Sequence, residues 1–256
     1  MSAAGNASPV PASDVAVRVW TMITAGLDED AVTPWAAVLD AAERARAARF
    51  VFAHSRITFI AAHALARAAL AEAAGASPGA FSFAAGAHGK PEAQLDGRPA
   101  GLAFNLSHTK GLVGVAVAAI PGLPLGFDLE PIDRRAPMEV ARRYFTASEI
   151  AWLDRLPETA RAEGFFRLWT LKEAFIKATG KGLTQDLSSF WFRVDPPEIR
   201  FAPELPERPQ DWGFAQRIVH RGFLAAIGLR GQGAGIDATW CELDPAGFDP
   251  AAGLDW

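Results

Sequence analysis

Gly111-Leu-Val-Gly-Val-Ala-Val117 and Gly222-Phe-Leu-Ala-Ala-Ile-Gly228 are apolar runs of equal length, each opened by a glycine. Short apolar runs bounded by turn residues read as buried strands. Each run also closes a series of elements. The first series opens with Val15-Ala-Val-Arg-Val-Trp-Thr-Met22, whose apolar and polar residues alternate as in a strand with one buried face. Helical segments follow from Thr33 to Arg49 and from Arg56 to Ala73, then strands at Ala80 to Ala84, Leu102 to Leu106 and Leu112 to Ala119. The second series opens with Leu125-Gly-Phe-Asp-Leu-Glu130 and continues with helix starts at Pro137 and Thr146 and a helix from Phe165 to Thr179. Its strands lie at Phe190 to Val194, Gly213 to Val219 and Phe223 to Leu229. The shared order predicts an α+β fold of two similar subdomains, residues 15–123 and 124–256, after a flexible tail at 1–14. Pro121 to Pro124 is the junction, and the interface between the subdomains is the expected place for a site.

Local punctuation supports these boundaries. Thr33-Pro34 pairs an N-cap with a proline at the first helical position, and Gly75 and Gly180 stand where helices should stop. Asp96-Gly97 is a turn signal, and the stretch from Pro196 to Pro209 suits an edge strand plus loop.

The chain has 256 residues, 50% hydrophobic and 21% charged, which is enough for one large core or two modest ones and excludes general disorder. Its 25 Lys+Arg against 29 Asp+Glu give a net charge of −4, so neither nucleic acid nor an anionic membrane is expected as a partner, and any basic site must be local. The single Cys241 excludes an intramolecular disulfide or a multi-cysteine metal cage and fits a reducing compartment. The opening MSAAGNASPVPASD has neither basic residues nor an apolar core of the secretory kind. The strongly apolar stretch from Leu112 to Ile120 is far shorter than the roughly 20 residues of a spanning helix. A cytoplasmic location is the expectation.

Asp128 and Glu130 are two apart on an expected strand, so their side chains leave the same face. Like charges side by side call for a cation between them, and a hard divalent ion with oxygen ligands is a natural occupant; a strand end with both acids in water is the plainer reading. In Trp169-Thr-Leu-Lys172-Glu173-Ala-Phe-Ile-Lys177, helical spacing puts Trp169, Glu173 and Lys177 on one face with Lys172 beside it. A carboxylate and two ammonium groups there suit a metal–diphosphate complex, while a surface ion pair over a core tryptophan explains the same spacing. Phe104-Asn-Leu-Ser107-His108-Thr109 fits a phosphate-binding turn at a strand end or a bland turn; a nucleophilic serine is the poorer reading, since adjacent residues on an extended chain point apart.

Arg44, Arg46, Arg49, His54, Arg56 and Arg67 form the densest basic cluster, and Arg134, Arg135, Arg142 and Arg143 a second. Most such residues are solvated helix faces, though one or two can hold a phosphate monoester. Lys90 is a lone loop lysine, and Thr146-Ala-Ser-Glu149 has the form of a capping box, which outweighs catalysis as its reading.

Taken together, Gly89-Lys90-Pro91, Phe104-Asn-Leu-Ser107-His108, Gly126-Phe-Asp128-Leu-Glu130, Phe145-Thr-Ala-Ser-Glu149 and Trp169-Thr-Leu-Lys172-Glu173-Ala-Phe-Ile-Lys177-Ala-Thr-Gly-Lys-Gly-Leu183 resemble the 4′-phosphopantetheinyl transferases. Order and spacing are similar to the larger, single-chain pseudo-dimeric (Sfp-type) subclass, which implies a pseudo-twofold between the subdomains and a monomer. The resemblance implies transfer of the phosphopantetheine arm of coenzyme A to a serine of an acyl or peptidyl carrier protein, releasing adenosine 3′,5′-bisphosphate. It also implies that Asp128, Glu130 and Glu173 ligate Mg²⁺, or alternatively Mn²⁺, together with the coenzyme A diphosphate.

By the same resemblance Lys172 and Lys177 lie along the diphosphate, Ser107 and His108 approach the nucleotide's phosphate, and Lys90 meets its adenosine end. Glu173 is the first candidate for general base and Glu149 the second. Arg46 and Arg56 are the candidates for the 3′-phosphate, in a region where the chain departs from the family: His54-Ser55-Arg56-Ile57-Thr58 carries one arginine, and Thr109 stands where serine is common. Arg142 and Arg143 are candidates for carrier contact. Two other classes stay open, a catalytically silent coenzyme A or nucleotide-binding regulator and a metal-dependent coenzyme A diphosphate hydrolase.

Overall fold

The computed structural model describes residues 15–86, 89–231 and 236–254, so the expected tail at 1–14 lies outside the described residues. The chain runs through β1 (Val15–Ile23), α1 (Glu29–Val32), α2 (Ala41–Ala48), α3 (Ala53–Ala74), β2 (Phe81–Ala85), β3 (Pro91–Leu95), β4 (Arg98–Pro99), β5 (Ala103–Thr109) and β6 (Leu112–Ala118). It continues with β7 (Leu125–Pro131), α4 (Met138–Tyr144), α5 (Ala147–Arg155), α6 (Glu158–Thr179), β8 (Phe190–Arg193), β9 (Glu198–Phe201), β10 (Trp212–Val219), β11 (Phe223–Arg230) and β12 (Ile236–Leu243). The fold is α+β. One sheet has the order β12-β1-β6-β5, a second β10-β11-β7, and two small sheets, β2-β3-β4 and β8-β9, flank them.

Each large sheet carries one 22-residue helix, α3 or α6, and each helix stops at a glycine in the left-handed region, Gly75 at φ 62° and Gly180 at φ 71°. By length and composition α3 is apolar enough to cross a membrane, yet 72% of its most apolar window is buried in the protein, where it packs against β6 and β5. Its Ile60, Leu65 and Leu70 join Trp20 and Val115 in the core of that half. Phe165, Leu171 and Phe175 of α6 form the core of the other half with Phe190 and Trp212.

A third apolar cluster joins the two large sheets. Val17 and Ala116 from the first pack with Leu125, Phe127 and Ile227 from the second. β5 and β7 meet along this seam, where Asn105 Oδ1 accepts a hydrogen bond from Phe127 N at 3.1 Å. The end of the chain then returns to the first half: β12 pairs in parallel with β1, and Phe248 packs edge-on against Trp35 with ring centroids 5.0 Å apart. At the turn between β10 and β11, His220 Nε2 lies 3.1 Å from Thr21 Oγ1, and its backbone N donates to Glu242 at 2.8 Å, which ties that hairpin to β1 and β12.

Several local expectations are modified. The single helix expected from Thr33 to Arg49 is a 3₁₀ turn, Pro34–Val38, followed by α2, because Asp40 and Glu43 form a capping box that starts a new helix. α6 begins at Glu158, a turn and more before Phe165. Residues 104–109 are strand throughout rather than a turn, since β5 pairs with β6 as far as Thr109↔Leu112. β12 had no counterpart among the expected strands; its burial alternates between half-buried and exposed, as on a sheet edge.

Candidate active site

β7 and α6 build the centre of the site. A Cβ on Gly126 would come within 1.9 Å of Ala174 O and 2.4 Å of Ala178 N, so only glycine lets the α6 backbone lie directly on the strand. That approach sets Glu173 and Lys177, one helical turn apart, over Asp128 and Glu130, two residues apart on the strand. Lys177 Nζ lies 2.7 Å from Asp128 Oδ1 and donates to Ser107 Oγ at 2.9 Å; Ser107 in turn donates to the same Oδ1 at 3.3 Å.

Asp128 Oδ2 is buried and has no hydrogen-bond partner among the described residues. Burial raises the Asp128 carboxyl above the usual range, with Lys177 opposing. Burial and then the Asp128 charge push Glu130 to about 7, against Arg134 and Lys177. Glu173 rises to about 6 for the same two reasons, opposed by Lys177. Three carboxylates therefore share one lysine, with Arg134 paired to Glu130 from the exposed side.

Hard oxygen donors, an unpartnered carboxylate oxygen and unrelieved like charge fit a divalent cation. Among the described residues, however, no three acidic, histidine or cysteine side chains form a ready-made metal cage. The carboxylates are an open array, with Lys177 hydrogen-bonded inside it.

Lys172 and Glu149 belong elsewhere, which corrects the expectation of a diphosphate contact and a second general base. Lys172 is fully buried: its Nζ donates to Leu187 O at 2.8 Å and Phe190 O at 2.7 Å and pairs with Glu149 at 3.0 Å. Burial lowers the lysine and Glu149 opposes that shift. Glu149 also accepts from Phe192 N at 3.0 Å and completes the capping box with Thr146. The pair fastens α6, α5 and β8 to one another and offers nothing to a ligand.

The remaining candidates divide between two hollows. A cleft of about 1440 Å³ opens in the first half between α3, the loop after β1 and the end of β5, and both Arg46 and His108 line it. Ser107 and His108, on opposite faces of β5, thus look into the carboxylate array and the cleft respectively. Burial lowers the His108 imidazole, and the charges of Lys177 and His63 lower it further. Arg56 does not line the cleft; its guanidinium is held by Glu29 at 2.5 Å and Phe50 O at 3.1 Å. Lys90 borders a separate hollow of about 400 Å³ and donates to Leu125 O at 2.7 Å, with burial bringing it down to about 8 against Glu92. His63 of the cleft and Glu43 beneath it escaped the sequence reading, because one sits mid-helix and the other looks like a helix cap.

The chain matches the model of the 4′-phosphopantetheinyl transferase superfamily over residues 124–226, from the start of β7 to the middle of β11. It is 32% identical over 221 residues to the 4′-phosphopantetheinyl transferase HetI of Nostoc sp., covering 85% of this chain and 89% of that protein. It is 31% identical over 158 residues to a 4′-phosphopantetheinyl transferase of Bacillus subtilis, covering 62% of this chain and 67% of that protein. To the 4′-phosphopantetheinyl transferase Sfp of Bacillus subtilis (strain 168) it is 31% identical over 124 residues, covering 48% and 53% respectively. An alignment through 85% of the chain takes in residues of both large sheets as well as the seam between them, and on that ground the chain belongs to the 4′-phosphopantetheinyl transferase superfamily.

Proposed function

We propose that this protein transfers the 4′-phosphopantetheine arm of coenzyme A to a serine of an acyl or peptidyl carrier protein and releases adenosine 3′,5′-bisphosphate. The observation that carries the reading is the unpartnered Asp128 oxygen, set among Glu130, Glu173 and Lys177 beside a cleft whose wall carries Arg46 and Lys110. Asp128, Glu130 and Glu173 would hold Mg²⁺ or Mn²⁺, which supplies charge neutralisation for the diphosphate.

The chain's own groups supply the rest. Lys177 neutralises a diphosphate oxygen, and His108 lies in the cleft wall, where the nucleotide end would pass. The serine Oγ of the carrier attacks the phosphorus bearing pantetheine, the P–O bond to the nucleotide breaks, and the bisphosphate leaves with that oxygen. Glu173 takes the serine proton through an oxygen not committed to the cation, as a base within hydrogen-bond reach of the attacking hydroxyl must. A single chain contributes both β7 and α6 to the array, so a monomer suffices.

The test is mass spectrometry of an apo carrier protein after incubation with the full chain, coenzyme A and Mg²⁺. A gain of one phosphopantetheine on the carrier supports the reading. Release of adenosine bisphosphate without a carrier would identify a hydrolase instead, and coenzyme A binding with no turnover on any carrier would identify a regulator.

A further inference from the structure

Val51 and Phe52, in the short turn between α2 and α3, are 88% and 66% exposed, although large apolar side chains are otherwise mostly covered among the described residues. Local structure does not account for them. Phe52 is the N-cap of α3, and its side chain makes no capping hydrogen bond. Ser, Thr, Asn or Asp there would stabilise the helix start by about 1 kcal/mol. An exposed phenylalanine at this position serves neither the helix nor the core. The backbone is nevertheless firmly held: Phe50 N donates to Ala47 O at 3.2 Å, and Ser55 N and Arg56 N both donate to Phe52 O. Arg56, anchored on Glu29, adds a bond to Phe50 O at 3.1 Å. The Phe52 ring stacks on His54 with centroids 5.6 Å apart. Two apolar side chains are thus presented to solvent on a braced turn.

Their surroundings are positive. Arg44, Arg46 and Arg49 are exposed on α2 and at its end, whereas Glu43, the acid of that helix, is buried and paired with Arg67. Arg44 donates to Leu39 O and Arg46 covers the Phe59 ring, and none of the three arginines forms an ion pair among the described residues. On α1, which packs against α3, Asp28 caps the helix and Glu29 pairs with Arg56, which leaves Asp30 against three arginines. Phe50, Ala53 and His54 line the large cleft, whose wall at His108 feels the Lys177 charge. The turn is therefore the outer rim of the cavity that leads to the carboxylate array.

An apolar tip flanked by uncompensated arginines fits an acidic surface with an apolar side chain at its centre. A bilayer is a poor match, since one valine and one phenylalanine bury less apolar area than a single acyl chain, which itself anchors only marginally. A second copy is disfavoured by charge, because an isologous contact would set the arginines against one another. Resting on the transfer reading, we propose that Val51 and Phe52, with Arg44 and Arg49, form a docking surface for the carrier protein, which meets it with an acidic helix bearing an apolar residue. This surface belongs to the first half of the chain, whereas Arg142 and Arg143 lie on α4 of the second.

Calorimetry of the full chain with apo acyl and peptidyl carriers whose acceptor serine is replaced by Ala tests the surface without turnover. Phe52→Ser should weaken carrier binding about tenfold, a ratio worth about 1.4 kcal/mol, and leave coenzyme A affinity unchanged. It should also keep or raise the melting temperature, because serine caps α3. Arg49→Glu should weaken carrier binding and flatten its salt dependence. With intact carriers the same losses should appear in KM for the carrier and not in kcat. Carrier binding undiminished in both variants, or an earlier melt of Phe52→Ser, overturns the proposal. So does loss on Phe52→Ser of binding to phosphatidylserine vesicles, or of self-association, with carrier binding intact. Phe52-dependent binding without transfer to any intact carrier would sink the transfer reading alone, and transfer indifferent to Phe52 and Arg49 would sink this surface alone.

Discussion

Lys177 Nζ lies 2.7 Å from one oxygen of Asp128, while the other oxygen of that carboxylate is buried with no hydrogen-bond partner among the described residues. One ammonium group cannot neutralise Asp128, Glu130 and Glu173 together, even with Arg134 on the outer side of Glu130; burial first, and the Asp128 charge second, raise the Glu130 and Glu173 carboxyls. The arrangement makes physical sense as a receptor for further positive charge accompanied by a polyanion.

Replacing Glu173 by Gln removes the proposed base and one proposed metal donor and relieves like-charge repulsion. Transfer should fall by about 10²-fold or more while the melting temperature is unchanged or raised. Rates from carrier mass analysis and a thermal melt check both halves; retained activity would take Glu173 out of the chemistry.

The raised carboxyls fix a pH dependence. Glu130 titrates at about 7 and Glu173 at about 6 in the folded chain, against an ordinary 4.5. Between those values the folded state binds more protons than the unfolded one, so stability falls as pH rises through that window. Urea midpoints at about pH 5 and about pH 7.5 in chelator should show the fall, and Mg²⁺, which binds the ionised form, should reverse it. A fall in the wild type no steeper than that in Glu130→Gln, in chelator, would contradict the electrostatic picture.

Lys172 and Lys177 should part company on mutation. Lys172→Ala leaves Glu149 as a buried charge without its partner, a loss of about 3–5 kcal/mol. Lys177→Met also strands a buried carboxylate, but Asp128 keeps the Ser107 hydrogen bond and is already raised towards its neutral form, so this variant should lose less stability and far more transfer. Chemical denaturation and rate measurements on the two variants separate a fastening lysine from one that faces substrate.

Gly126→Ala tests how the array is held. The added methyl group meets the α6 backbone at Ala174 and Ala178, so the helix must move off β7, costing about 1–3 kcal/mol or more. Because Glu173 and Lys177 ride on that helix, transfer should drop further than the stability loss alone explains at a temperature where the variant is folded.

Period and punctuation made much of this molecule legible. The alternation in Val15 to Met22, the glycine stops at Gly75 and Gly180 and the Asp96-Gly97 turn each correspond to observed elements. Spacing along one element also brought Asp128 to Glu130 and Glu173 to Lys177. Sequence spacing could not reveal which side of α6 would be buried, so Lys172, adjacent to Glu173, was expected at the ligand although it faces α5 and β8. Nor could it reveal pairings made only by the fold. Glu43 and His63 lie on separate helices, and β12 joins β1 from the opposite end of the chain. Lys90 and Arg56 carry the right charge, but Leu125 O holds Lys90 at a separate hollow and Arg56 is spent on Glu29.

The most direct measurement is the mass of a purified apo carrier protein after incubation with the full chain, coenzyme A and Mg²⁺, assayed across acyl and peptidyl carriers. The account predicts a gain of one phosphopantetheine on at least one carrier, with one adenosine 3′,5′-bisphosphate released per arm transferred and none when the carrier serine is replaced by Ala. A folded chain that leaves every carrier at its apo mass would contradict it.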